Sequence, residues 1–443
     1  MENKWFKSLC LALACVMGGS LCACDAETID SVLNDIDSIV NEMDGIASEM
    51  TGSSTEDFSS EDSIKDSIED SSEDSAEESV EESSDTEESS DTEDSSDTED
   101  SSDTEESSDT EDSSDVEDSG DVEDSGDDEQ ISELSVHFLQ LGNKTSGDCT
   151  LIKTGNTEVL IDAGSTTGSI GTIVPYIKEY CTDGVLEYVI ATHAHQDHIA
   201  GFTNSTSQGK GIFESFECST IIDFAKTTIT SNLYAEYISL RDAEVALGAK
   251  HYTALECWNN ENGAQRSYKL AEGISLNILY QKYYETSTAN ENNNSVCVMI
   301  SQGENHYLFT GDLESGGEQS LVQSNDLPKC KLYKSAHHGS NTSNSNTLLS
   351  VIQPEIVVLT CCCGDKFDFP HQETIDTVAL YTSQVYVPAM VTSSGAYQLL
   401  NGNIVVSSVD GVIAQVNCSN NNILFKDTDW FKQNRVCPDN WKN

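Results

Sequence analysis

Apolar positions recur with a regular period only from about residue 134 onward. Residues 135–141 read as a strand, and 149–153 with 157–162 read as a hairpin turned by Thr154-Gly155-Asn156. Residues 170–180 repeat their apolar side chains at helical spacing and lead into 186–191, a run apolar enough for a short buried strand. A strand at 219–222 and a helix at 234–247 continue the alternation. Residues 295–300 and 306–310 then read as two strands about a turn, followed by strands at 330–335 and 355–360. Two long αβ halves of this kind predict an α/β fold, a four-layer αβ/βα sandwich.

No such pattern precedes it. Residues 51–130 are Ser, Asp, Glu and Thr almost throughout, and from Ser83 they settle into six-residue units of the type Ser-Ser-Asp-Thr-Glu-Asp. With no apolar face to bury, this stretch cannot offset its chain entropy, which predicts a disordered acidic tether preceding the sandwich. Between residues 25 and 50, Ile29, Val32, Leu33, Ile36, Ile39 and Val40 recur at helical spacing, enough for a short helix. The first 24 residues read as an export signal. Lys4 and Lys7 supply its positive end and residues 9–17 its apolar core, too short to span a bilayer. Leu21-Cys22-Ala23-Cys24 resembles a lipobox with Cys24 as the acylated residue. The expected organisation is a signal at 1–24, a linker at 25–130 and a folded domain at 131–443. The membrane would be met through the lipid anchor only, with the domain exported and displayed outside on a long spacer.

Charge follows the same division. Residues 1–130 hold 46 Asp/Glu against 3 Lys, and residues 131–443 hold 33 Asp/Glu against 18 Lys/Arg. A folded part with a net charge of −15 has no general attraction to nucleic acid, so no stable nucleic-acid complex is expected. That part also holds eleven Cys, an odd number whose spacings match no zinc ribbon. They read mostly as buried thiols acting as small hydrophobes, with a Cys418–Cys437 bridge left open.

The chemistry concentrates at Thr192-His193-Ala194-His195-Gln196-Asp197-His198-Ile199-Ala200-Gly201, directly after the strand at 186–191. The chain holds nine His, and three of them fall within these six positions, which a chance polar loop does not explain. Imidazoles with a carboxylate at this spacing suit two metal ions side by side. Other strands end in Asp312, in His337-His338 and, after Phe369-Pro370, near His371. Strand ends at one sheet edge gather distant residues. Asp312 would then be a carboxylate able to lie between two cations about 3.5–4 Å apart, which together make a hydroxide nucleophile at neutral pH.

The order Asp162-Ala163-Gly164, His193-x-His195-x-Asp197-His198, Gly311-Asp312, His337-His338-Gly339-Ser340 resembles the metallo-β-lactamase superfamily. Within it, the chain is most similar to the C-terminal hydrolase domain of ComEC-type competence proteins. The words carrying that likeness are Leu141-Gly142 with Gly147-Asp148, the His motif through Gly201, residues 308–312 with Glu318, and residues 334–343. The resemblance implies two divalent ions, zinc or in some members manganese. His193 and His195 would bind the first and Asp197 and His198 the second, with Asp312 between them. One of His337 and His338, with His337 preferred, would be a further ligand of the second ion, and the other, His338 on that preference, would contact the substrate oxyanion. Asp162 would orient a ligating His. Many members place a third His on the first ion; here that region offers Asn294-Ser295, so the first ion would either be bound more weakly or be completed by Asn294 or water. His251 and His306 lie in no matching context. His371 resembles a reversed His-Pro element and would contact substrate, whereas His137 reads as an ordinary strand residue.

The resemblance implies a metal-dependent hydrolase acting on phosphodiesters, either extracellular DNA or a wall polymer such as a phosphorylcholine-bearing teichoic acid. Asp197 would be essential to turnover. β-Lactam hydrolysis does not fit the motif context. The rival reading from another class is a displayed binding protein with a vestigial metal site.

Overall fold

A computed structural model describes residues 132–409 and 411–442. The export signal, Cys24, the helical spacing at 29–40 and the acidic repeats lie outside the described residues.

Strands β1 (Leu134–Phe138), β2 (Thr150–Thr154), β3 (Thr157–Ile161), β4 (Val185–Ile190), β5 (Glu217–Asp223) and β6 (Lys250–Thr253) lie side by side in that order. A second sheet takes β7 (Ser267–Ala271), β8 (Ile274–Leu279), β9 (Cys297–Gln302), β10 (Asn305–Phe309), β11 (Leu332–Lys334) and β12 (Ile356–Val358). β13 (Cys362–Cys363) leaves to form a small sheet with β15 (Ala389–Val391) and β16 (Tyr397–Leu399), while β14 (Val385–Tyr386) closes the second sheet beside β12. β17 (Ile404–Val409) and β18 (Val412–Cys418) return to the first sheet, β17 pairing antiparallel with β1. The helices are α1 (Ile170–Tyr180), α2 (Gln196–Ile199), α3 (Ile212–Ser215), α4 (Asn232–Leu247), α5 (Ala254–Asn259), α6 (Ser315–Ser324), α7 (Asn346–Ile352), α8 (Gln372–Val378) and α9 (Asp429–Asn434).

The period of two along the second sheet explains the layering. Val298, Ile300, Tyr307, Phe309, Leu332 and Val358 enter one apolar core, shared with Phe138, Leu151 and Leu160 of the first sheet. Their alternates Cys297, Met299, Leu308, Tyr333 and Val357 enter another, under Leu321 of α6, Leu348 and Ile352 of α7, and Ile375 of α8. The two sheets meet directly where the rings of Phe138 and Phe309 lie 6.3 Å apart. Ile173 and Ile177 of α1 and Tyr237 of α4 pack against the first sheet. This is the αβ/βα sandwich that the periodicity predicts.

Element limits shift by one to three residues from the sequence reading. Thr154 pairs with Thr157, so Gly155-Asn156 alone makes the hairpin turn. α4 starts at Asn232, where Ser231 Oγ accepts the Tyr234 N–H at 3.1 Å and caps its first turn. The eleven described Cys are free thiols and nine are buried. Cys418 and Cys437 remain unpaired, so the bridge left open above is not made. Aromatic packing holds the tail instead: the Trp441 indole lies tilted at 49° with its centroid 5.7 Å from that of the Phe431 ring, and it donates to Thr382 O at 2.8 Å. Among the described residues no helix is long and apolar enough to cross a membrane.

β3, β4 and β5 are parallel neighbours, as are β10, β11 and β12. Parallel strands release their C-terminal ends at one edge. Asp162, the His motif, Asp312, His337-His338 and Thr360 all emerge in this way.

Candidate metal centre

The backbone leaving β4 is fixed before any ligand appears. Asp162, just past β3, adopts a left-handed conformation with φ of 58°. Its carboxylate accepts the Thr192 N–H at 2.7 Å, the Thr192 hydroxyl at 2.8 Å and His198 Nδ1 at 2.8 Å. Because Nδ1–H is donated to Asp162, the Nε2 lone pair of His198 is left to face Asp312 Oδ2, 3.1 Å away. Asp162 is thus seated as the orienting residue that the sequence suggests.

His338 is held by the same device. Its Nδ1 donates to Thr360 O at 3.1 Å and lies 3.3 Å from Asp148 Oδ1, while Nε2 turns to Asp312 Oδ2 at 3.4 Å and Asp197 Oδ2 at 3.5 Å. Ligand atoms of Asp197, His198, Asp312 and His338 all lie within 4.8 Å of one another. On the other side, His193 Nε2 and His195 Nδ1 converge to 3.0 Å. The His193 ring lies 4.1 Å from that of His198, centroid to centroid.

Of the two rings that the sequence leaves open as a ligand, His338 rather than the preferred His337 joins the cluster with Asp197, His198 and Asp312. His337 Nε2 stands 3.9 Å from Asp312 Oδ2, and its Nδ1 lies 3.1 Å from Thr342 Oγ1. The cause is local backbone. His337 and His338 both have positive φ, 50° and 54°, so strand alternation stops at Lys334 and cannot say which ring turns inward.

The residues fit divalent cations. His198 Nε2, His338 Nε2 and Asp312 Oδ1 are buried and have no hydrogen-bond partner. Groups of this kind are normally satisfied, and two imidazole nitrogens with two carboxylates form a donor set suited to zinc or manganese. Electrostatics agree. Burial opposes charging His198 and His338, yet Asp312, with Asp162 and Asp148, raises both imidazoles well above the usual range. Burial alone would raise the Asp312 carboxyl, but His198, His338 and His337 hold it well below its usual value. The centre is built to stabilise positive charge.

Beneath it lies a pair that motif reading passes over. Asp148 Oδ2 is 2.5 Å from Lys334 Nζ, and both side chains are buried. Lys334 also donates to Gly311 O and Ser335 O at 3.1 Å, tying the two loops that carry Asp312 and His338. Gly147-Asp148 and Lys334 stand in the words that carry the family resemblance, but their pairing spans the two sheets and no periodicity reveals it.

Two further expected residues bond groups outside the cluster. His371 Nδ1 accepts the Asn341 N–H and Nε2 donates to Phe367 O, both at 3.0 Å. The Phe369 ring lies 5.3 Å from the His371 ring and 5.9 Å from that of His338. Both ring nitrogens of His371 thus bond loop backbone, which pins the loop beside His338. Asn294 Nδ2 donates to Glu291 Oε2 at 2.9 Å, and its Oδ1 is buried without a hydrogen-bond partner. Its neighbour Ser295 touches the site instead, accepting the Asp312 N–H at 3.0 Å with Oγ 3.4 Å from His193 Nδ1. His137 bonds Tyr176 Oη at 2.9 Å, and burial with Lys153 lowers its imidazole to about 4, as befits a neutral strand residue.

Glu318 of α6 braces the His337-His338 turn from behind. Its oxygens accept the N–H groups of Asn344 at 2.6 Å and Ser345 at 2.8 Å. Asn344 in turn accepts from Ala336 N at 3.0 Å and donates to Ala336 O at 3.0 Å. Burial lifts the Glu318 carboxyl from 4.5 to about 7 against the pull of those N–H groups. A raised folded value means that this stability is complete below about 4.5 and is lost as pH climbs through 7. Glu318→Gln leaves one backbone N–H without an acceptor and is expected to cost about 1–3 kcal/mol near pH 5. The deficit narrows toward pH 8, as urea melts of both proteins at the two pH values would show. A deficit independent of pH would mean that Glu318 titrates alike folded and unfolded.

Residues 142–208 match the family described as the metallo-beta-lactamase superfamily. Asp162 and the His193–His198 motif fall inside that match, and Asp312 and His338 beyond it. Recombination protein 2 of Haemophilus influenzae is 30% identical over 114 residues, covering 26% of this chain and 14% of that protein. Competence protein ComA of Neisseria gonorrhoeae is 26% identical over 225 residues, covering 50% of this chain and 26% of that protein. This chain thus spans no more than about a quarter of the length of either relative. Among solved structures, the metallo-beta-lactamase fold protein YhfI from Bacillus subtilis aligns over 62% of this chain and 100% of that one, at 12% identity and a TM-score of 0.36.

Proposed function

We propose that this chain, which carries a metallo-beta-lactamase superfamily domain, is a surface-tethered, metal-dependent phosphodiesterase. The observation that carries the reading is the set of buried, unpartnered ligand atoms on His198, His338 and Asp312, drawn from both sheets onto one point.

His193 and His195 would hold one divalent ion. Asp197, His198 and His338 would hold a second, with Asp312 between the two. When bound, such ions supply a nucleophile at neutral pH and neutralise charge on a phosphoryl oxygen. The protein's own contribution is orientation: Asp162 and Thr360 direct the two imidazoles, and the Asp148–Lys334 pair keeps the surrounding loops in register. His337 stays partly exposed beside Asp312, where its ring can donate to an oxygen of the bound phosphate.

A phosphodiester in extracellular DNA or in a wall polymer such as a phosphorylcholine-bearing teichoic acid fits a lipid-anchored domain on a long acidic spacer. The domain's negative charge argues against tight DNA retention. Bis-p-nitrophenyl phosphate is expected to be hydrolysed by the zinc- or manganese-loaded protein, to fall to background after chelation, and to recover on adding either ion. Plasmid DNA and teichoic acid offered side by side then choose the substrate. A loaded protein that cleaves no phosphodiester, ester or lactam would instead be a displayed binding protein.

A further inference from the structure

Beside the metal centre, an open cavity of about 380 Å³ lies between the loop after β5 and the loop before β9. Its link to the chemistry is Glu291, buried to 4% exposure. One Glu291 oxygen accepts the N–H of Ala194, the residue between His193 and His195, at 3.0 Å. The other accepts the Thr228 N–H at 3.4 Å and Asn294 Nδ2 at 2.9 Å. The cavity wall and the ion-holding motif are therefore one hydrogen-bonded unit.

The lining is selective. Phe224 and Tyr234 present two rings 6.0 Å apart, centroid to centroid. Thr228, Ser287 and Thr288 add hydroxyls. Asn294, 3% exposed, leaves Oδ1 without any donor. Among the described residues no carboxylate lines the space, and the one cation that does, Lys226, is taken by Glu285 O. Rings, hydroxyls and a spare acceptor suit an uncharged ring bearing O–H or N–H groups. A quaternary ammonium would lack a counter-charge and face that lysine.

We infer that this cavity receives the uncharged hydroxylated ring attached to the phosphate under attack, so that esters of sugars or nucleosides are selected over alkyl esters. The inference rests on the phosphodiesterase reading. It deepens that reading by naming what the enzyme holds on one side of phosphorus.

The test uses the full, metal-loaded chain and four p-nitrophenyl phosphodiesters that share a leaving group: methyl, choline, glucose 6- and thymidine 5′-. At least one ring ester is expected to exceed the methyl ester in kcat/KM by about tenfold or more, and the two ring arms distinguish sugar from nucleoside. Ser287 is exposed at the rim. Ser287→Trp is expected to remove that advantage while leaving methyl-ester turnover within about twofold; should it fold poorly, the comparison of the four esters on the parent protein still decides the inference. Equal rates for methyl and ring esters, or preference for the choline ester, would overturn the inference alone. Absence of turnover on all four would overturn the phosphodiesterase reading and this inference with it.

Discussion

His338→Ala is expected to lose one ion and all measurable turnover, whereas His337→Ala keeps both ions and loses rate. His338 is 1% exposed, and its Nε2 stands 3.4–3.5 Å from Asp312 and Asp197. Thr360 O and Asp148 fix its other nitrogen. Loss of an outer-shell partner already costs roughly 10–100-fold in metal affinity, so loss of a ligand must cost more. Asp197→Ala belongs to the same class: its side chain is 27% exposed, so the fold survives while the ion does not. His337 lies farther out, 3.9 Å from Asp312. Removing a donor to a developing oxyanion costs about 10²–10³-fold in kcat and leaves metal content unchanged. Metal stoichiometry by plasma mass spectrometry separates the two variants before any substrate is added. Should His337→Ala empty an ion position while His338→Ala does not, the inward turn of His338 would be wrong and the motif-based assignment right.

That exchange marks where sequence reasoning ends. The sandwich was legible because its core strands carry alternating apolar residues and their parallel ends fall at one edge. Ile170–Tyr180 could be bounded to the residue, since its period and its flanks agree. His193, His195, Asp197 and His198 were legible because six consecutive positions cannot leave the end of β4. Residues that act across the sheets were not. Asp148 meets Lys334 from 186 positions away in the chain, and Thr360 meets both Asp148 and His338. Neither pairing leaves a spacing signal. The His337-His338 turn escaped because positive φ at both residues breaks the rule that assigns faces. His371 marks a different limit: a His beside Pro suggests a motif, but no spacing shows that both its nitrogens bond loop backbone.

Gly164→Ala is expected to disable metal loading without touching a ligand. A Cβ at Gly164 would sit 1.8 Å from Asp197 O, 2.0 Å from Asp197 C and 2.5 Å from His198 N. Those are backbone atoms of the ion-holding motif, so no side-chain rotation relieves the clash. The motif cannot simply lift away, because Asp148 N–H donates to Asp197 O at 3.1 Å and Ala163 N–H to His198 O at 2.8 Å. Either the peptide shifts, carrying Asp197 and His198 off the Asp312–His338 side, or β3 and α2 part. Overpacking of this kind costs about 1–3 kcal/mol in stability, and displacement by even about 1 Å costs on the order of 10²-fold in rate. Gly316→Ala is the control. It lies in α6, where a Cβ meets Tyr283 Oη at 3.3 Å, and it should be neutral or gain up to about 1 kcal/mol. Thermal melts and metal content of the two variants decide the matter: a Gly164→Ala protein that melts with the parent and binds two ions would show that the β3 end and the His motif are not in contact.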